Sequence, residues 1–207
     1  MYWIIALGIF SQSLFGARMV VQLIHTERSG KVVSPSIYWQ ISLLASFLFL
    51  IYGIIRNDIV IILGQTLSYF IYIRNLQLKH AWVNIPLVIR VVLIALPVVT
   101  LFWIVIGSDH KLSDIIRGND FTDPILFIGG AGQLLLNLRF VYQWYHSEKQ
   151  GASVLPVGFW FISVAASVMI LTYAVKREDI VLLGAQGIGI FAYLRNMIVH
   201  YRSTGKT

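Results

Sequence analysis

The chain has 207 residues, of which 57% are hydrophobic and only 12% charged, with a mean hydropathy of +0.76. A soluble domain would carry about twice that charged fraction, so a soluble globular class is excluded and a polytopic membrane protein is expected. The net charge of +7 comes from Lys and Arg in short loops and at helix ends, where they set topology and meet lipid head groups rather than nucleic acid. Cysteine is absent, which removes disulfides, thiol nucleophiles and thiolate metal sites.

Apolar runs between short polar breaks predict seven spans, at 2–24, 36–55, 59–79, 83–106, 124–145, 156–175 and 180–200. Each approaches the roughly 20 residues that cross a bilayer. The first begins MYWIIALGIF, without a basic leader region or a clear small-residue cleavage site, and reads as a retained helix. It carries Arg18, Gln22 and His25, whose spacings of four and three put them on one face. A charge inside a span is costly unless paired or solvated. Arg18 therefore either snorkels to the head groups or lines a polar cavity. Side chains lean toward a helix N-terminus, which on this helix tilts Arg18 toward the membrane centre.

The second span opens with Pro35, suited to a first helical turn, and presents Trp39, Ser42 and Ser46 on one stripe. Small residues at four-residue spacing allow close helix packing; a solute path is the other reading. Asp58 is placed to cap the third helix, which carries Gln65, Tyr69 and Tyr72, with Arg74 near its end. Gln65 serves either as interhelical glue or as a ligand contact. The fourth span contains Arg90, placed to snorkel, and is followed by the acidic connection SDHKLSDIIRGNDFTD.

The last three spans repeat the first three. At an offset of 121, residues 8–80 align with 129–201 without a gap, with 27 identities in 73 positions. The matched set gives Arg139, Gln143, His146, Trp160, Ser163, Ser167, Asp179, Gln186, Tyr193 and Arg195 in the second copy. Three-helix units joined directly would be inverted. The extra span makes them parallel, a 3+1+3 arrangement with a pseudo-two-fold axis along the membrane normal. The expected organisation is a first repeat at 1–80, a linker helix and external loop at 81–123, and a second repeat at 124–207. Loop charges set the orientation. Arg28, Lys31, Arg74, Lys79, Lys149, Arg195, Arg202 and Lys206 gather on the C-terminal side, which puts the C-terminus in the cytoplasm and the N-terminus outside.

Catalytic signatures do not accompany this polar set. There is no Gly-x-Ser-x-Gly elbow, no His-Glu-x-x-His, no phosphate-cradling glycine loop and no paired histidine ligands. No cofactor or metal is expected, and enzyme activity finds little support.

The segments RMVVQLIHTERSGKVVSPSIYWQISLLAS and RFVYQWYHSEKQGASVLPVGFWFISVAAS each lead into Tyr-(x)3-Arg-x-Asp-Ile-Val and Gln-(x)6-Tyr-x-Arg-Asn. In these motifs the chain resembles the lipid-A-disaccharide synthase N-terminal domain family, and in its helix plan the related SWEET and PQ-loop transporters. It differs from the latter in having Val21 and Tyr142 at the proline of the PQ motif, and Gln65 and Gln186 where SWEET sugar carriers place asparagine. The resemblance implies a multi-pass protein of a Gram-negative inner membrane acting in lipid A or envelope glycolipid biosynthesis. The transferase reaction itself, which needs a soluble nucleotide-sugar domain, is not expected of this chain. The leading expectation is a non-catalytic protein that binds or moves a phosphate-bearing sugar lipid, such as a polyprenyl-phosphate sugar. Arg18, Arg139, Arg74 and Arg195 would receive the phosphate. Gln22, Gln143, His25, His146, Trp39, Trp160, Gln65, Gln186, Tyr72 and Tyr193 would line the head-group path. A membrane scaffold for a glycosyltransferase partner and a SWEET-like carrier of a small sugar are the alternatives. The chain is expected to act as a monomer with internal symmetry or as a homo-oligomer.

Overall fold

A computed structural model describes residues 2–56, 59–107, 124–178 and 180–204. Among these residues the chain is helical, without strands. Helix α1 is Tyr2–Ser29, α2 Ser36–Arg56 and α3 Ile59–Leu78; a single 3₁₀ turn, Trp82–Asn84, precedes α4, Leu87–Gly107. Helices α5, α6 and α7 are Pro124–Gln150, Val157–Lys176 and Ile180–Thr204. Among the described residues, four helices are long and apolar enough to span a membrane: α1, α2, α6 and, within α7, Leu182–Thr204. In α4 the comparable stretch is the shorter Leu87–Trp103. The expected caps Asp58 and Asp179 and the connection at 108–123 lie outside the described residues.

Helices α1 and α5 run five residues beyond the apolar spans that predict them. Glu27 and Arg28, and Glu148 and Lys149, are too polar to count in an apolar run, yet they are good helix formers. What stops both helices is a left-handed glycine, Gly30 at φ 66 and Gly151 at φ 62, a conformation glycine adopts without steric cost. The next helix then starts at a proline in each case. Pro35 and Pro156 cannot donate, but their carbonyls accept from Tyr38 (3.0 Å) and Phe159 (2.9 Å) to begin α2 and α6. The fourth predicted span begins late for the same reason. Pro86 forces Ile85 into an extended conformation (φ −81, ψ 129), so residues 82–84 form only a turn and α4 starts at Leu87.

The chain divides into two compact units. Unit 1 gathers Met1–Gln22, Ser34–Leu112 and Gln150–Ser153; unit 2 gathers Leu23–Val33, Ser113–Lys149 and Val154–Thr207. Within unit 1, α2 packs along α3 through Trp39, Ser42, Leu43, Ser46, Leu50 and Gly53, a three-and-four spacing that makes one stripe. The short segment at 150–153 is tied in by Ser153, whose hydroxyl donates to Asn75 Oδ1 (2.6 Å) and whose carbonyl accepts from Ser34 (3.0 Å). Within unit 2, α6 packs on α7 through the equivalent stripe of Trp160, Ser163, Ala166, Ser167, Ile170 and Ala174.

The distribution of polarity is that of a membrane protein. Arg18, Gln22, Ser42, Ser46, Arg139, Gln143, Ser163 and Ser167 are buried, while Val88, Val99, Phe102, Phe127, Ile188 and Phe191 are exposed. Close approach is set by matched glycine–tyrosine contacts, Gly8 under Tyr52 in unit 1 and Gly129 under Tyr173 in unit 2. A Cβ at Gly129 would lie 2.7 Å from Tyr173 Cγ. Gly129→Ala is therefore expected to cost about 1–3 kcal/mol by overpacking. Thermal unfolding in detergent should show a lowered Tm, part of which Tyr173→Ala in the same chain should restore.

Candidate functional site

Each unit places one arginine of its first helix against the serine stripe of its second. In unit 1, Arg18 Nη1 donates to Ser42 Oγ (3.0 Å) and to Tyr72 Oη (2.9 Å). The guanidinium carbon lies 4.8 Å from the Phe15 ring centroid and 5.5 Å from those of Tyr38 and Tyr72. In unit 2, Arg139 Nη1 donates to Ser163 Oγ (2.8 Å), and its guanidinium sits 5.0 Å from Phe140 and Phe159 and 5.3 Å from Tyr193. Both serines also donate to a carbonyl one turn back, Tyr38 or Phe159, at 2.6 Å. That second bond fixes the hydroxyl so that a lone pair faces the guanidinium.

One turn further along the same stripe the partner changes. Ser46 donates to Gln65 Oε1 and Ser167 to Gln186 Oε1, both at 2.8 Å. The oxygen of each glutamine is thus occupied, while its amide nitrogen keeps two donors. The tryptophans stand on the other side of the arginine level, Trp39 at 5.9 Å from Tyr72 and Trp160 at 6.0 Å from Tyr193, ring to ring. Among the described residues, the indole nitrogens of Trp39 and Trp160 and Nε of Arg139 are buried without a hydrogen-bond partner. Glu27, Glu148 and Glu178 are the acids among the described residues. Glu27 is bound by Arg195 and Glu148 accepts from Trp144 Nε1, and the contacts of Arg139 are Ser163 and three aromatic rings, so no described carboxylate, Glu178 included, neutralises it. Cationic and donor-rich, the arrangement suits an anion or a group rich in acceptors.

The structure brings Arg18, Trp39 and Tyr72 together, and likewise Arg139, Trp160 and Tyr193, with Gln65 and Gln186 one turn away. Gln22 is buried on α1 one turn beyond Arg18, and the other expected residues have different surroundings. Gln143 Nε2 is engaged by Ser147 Oγ (2.7 Å) and the Val154 carbonyl (2.8 Å), stapling the turn after α5. His25 is exposed, and His146 Nδ1 lies 3.0 Å from the Tyr142 carbonyl of its own helix. Arg74 reaches Gln77 (3.2 Å), and Arg195 Nη2 donates to Glu27 Oε2 (2.8 Å) at an exposed position. Tyr69, fully buried with an unpartnered hydroxyl, joins the unit 1 set. Its place between Gln65 and Tyr72 on α3 is visible in the sequence, but Ile190 stands at the matching position of the second copy.

Membrane-length helices enclosing buried arginine, serine and glutamine define an α-helical membrane protein with a polar interior. The chain belongs to the Lipid A Biosynthesis N-terminal domain family, whose profile matches it twice, at residues 7–77 and 128–198. It is 28% identical over 211 residues to the lipid-A-disaccharide synthase of Chlamydia trachomatis serovar D, covering 97% of this chain and 34% of the relative. The enzymes of the same name from Chlamydia pneumoniae and Chlamydia felis are each 24% identical, covering 100% and 96% of this chain. The chain spans about a third of the length of these relatives. No solved structure matches.

The serine that holds each arginine is a sensitive point. Ser163→Ala removes the acceptor of a buried cation and should cost about 1.5–3 kcal/mol, read as earlier unfolding in a denaturant titration. Thr172→Ala, at an exposed hydroxyl that bonds only within its helix, should leave that titration unchanged.

Proposed function

We propose that this protein binds, and presents or translocates, a phosphate-bearing sugar lipid during lipid A or related envelope glycolipid biosynthesis, without catalysing the transfer reaction. The observation that carries the reading is Arg139, 7% exposed and without a described carboxylate partner. A guanidinium keeps its charge in a protein interior and suits bidentate phosphate contact. Arg18, 6% exposed, occupies the matching place in unit 1. Trp39, Trp160, Gln65 and Gln186 supply further donors for the head group, and Tyr72 and Tyr193 orient the arginines. Arg74 and Arg195, both partly exposed, would meet the phosphate at the entrance. Membership of the family and the names of the relatives support the pathway.

In this reading the chain is a multi-pass protein of a Gram-negative inner membrane. Seven spans form a 3+1+3 parallel pair of repeats, with the N-terminus periplasmic and the C-terminus cytoplasmic. The exposed apolar surface of α4 supports a fourth span facing lipid. A second reading, a membrane module that holds a glycosyltransferase, is favoured by one observation. The match covers only a third of enzymes named for the synthase reaction.

Binding of a polyprenyl-phosphate sugar to the protein in nanodiscs decides between them. Arg18→Gln with Arg139→Gln is expected to weaken binding by about 10–100-fold, the range for lost hydrogen bonds to a charged group. Unchanged affinity in a folded double variant would end the phosphate reading. Co-purification of a transferase that survives the same substitutions would then favour the scaffold.

A further inference from the structure

We infer that each unit holds its own phosphate site, so that one chain binds two lipid phosphates, and that the unit 1 site alone also reads a hydroxyl of the head group. This rests on the proposed function and deepens it.

The case for two sites is that each unit places a buried indole donor without a described partner close to its buried arginine. In unit 2, Arg139 Nε and Trp160 Nε1 are buried without a partner among the described residues, and Trp160 is 3% exposed. In unit 1, Trp39 is 0% exposed with its Nε1 unpartnered, and its ring lies against Tyr72, the residue that holds Arg18. An indole N–H can only donate, and buried donors are normally paired. The complement of a guanidinium beside an unmet indole donor is a group with several acceptors and negative charge. An ionised phosphate ester is such a group. Each set lies within a single compact unit, so neither needs the other to be complete.

The sites are not equivalent. Tyr69 is fully buried in unit 1 and its hydroxyl has no partner. It follows Gln65 by four residues and precedes Tyr72 by three, which puts all three on one face of α3. A phenol both donates and accepts, so its natural partner is a group that does the same, as a sugar hydroxyl does. The matching residue of unit 2 is Ile190, which does neither. Unit 1 therefore takes a phosphate joined to a hydroxylated head group, and unit 2 is satisfied by the phosphate.

Isothermal titration of the full chain in nanodiscs tests this with three probes: inorganic phosphate, a medium-chain alkyl phosphate, and the glycosyl phosphate of the same alkyl chain. Two equivalents of alkyl phosphate should bind per chain, both tighter than inorganic phosphate. Arg139→Gln should remove one equivalent. Trp160→Phe keeps the ring on Tyr193 and deletes only the unmet donor, and should weaken one equivalent about tenfold. Tyr69→Phe should weaken the glycosyl phosphate about 5–10-fold at the other equivalent and leave the alkyl phosphate unchanged.

Only one equivalent of alkyl phosphate bound per chain of the unsubstituted protein, abolished outright by Arg139→Gln, would overturn the two-site inference while leaving phosphate binding intact. No binding of any probe would remove both. Equal effects of Tyr69→Phe on both lipid probes would refute the hydroxyl reading, and inorganic phosphate matching the alkyl phosphate would refute a lipid-borne ligand.

Discussion

A guanidinium inside an apolar bundle is the constraint on which the rest of this structure depends. Arginine does not escape burial by losing its proton, so the interior must be arranged around it. The serine one helix away, fixed by its own bond to a carbonyl, gives the acceptor. Aromatic faces from the first, second and third helices of the unit supply the negative quadrupole that a buried cation favours. These contacts come from three helices at once, so they set the rotation of each helix about its axis. A one-residue shift of α2 would turn Ser42 about 100° away from Arg18. The polar interior and apolar exterior are thus one fact. Acceptors gather around the cation, and lipid can take only the apolar side chains that remain.

Much of this was legible in the sequence, because recurrence marked it. Arg18 and Arg139, Trp39 and Trp160, and the four stripe serines recur at a fixed offset, and helical spacing alone puts them on definable faces. What spacing cannot say is which neighbour each face meets. Ser42 and Ser46 look identical in sequence, yet one meets an arginine and the other a glutamine. Gln143 recurs as faithfully as Arg139, but its amide closes a turn. His25 and His146 share the arginine's face and still lie too near the helix end to join it. Recurrence marks a structural need without telling loop stapling from ligand contact, and it passes over Tyr69, whose place in the second copy is taken by Ile190.

The two copies diverge most where α3 and α7 differ. Thr66, Ser68 and Tyr69 in α3 face Gly187, Gly189 and Ile190 at the corresponding places of α7. Thr66 and Ser68 are buried, so hydroxyls fill space in one unit that is left without side chains in the other. The residues that hold the arginines are unchanged. The two units thus keep the same charged centre and differ in the wall beside it.

The Ser153 contacts bear on how the protein is made. Asn75 and Ser34, both in the first half of the chain, are completed by a residue that follows Asn75 by 78 positions. At ribosomal rates of about 5–20 residues per second, that wait lasts roughly 4–16 seconds. Throughout it the buried end of α3 has an amide oxygen still lacking its serine. Unit 1 is therefore begun first and finished late, and the order of synthesis is not the order of completion.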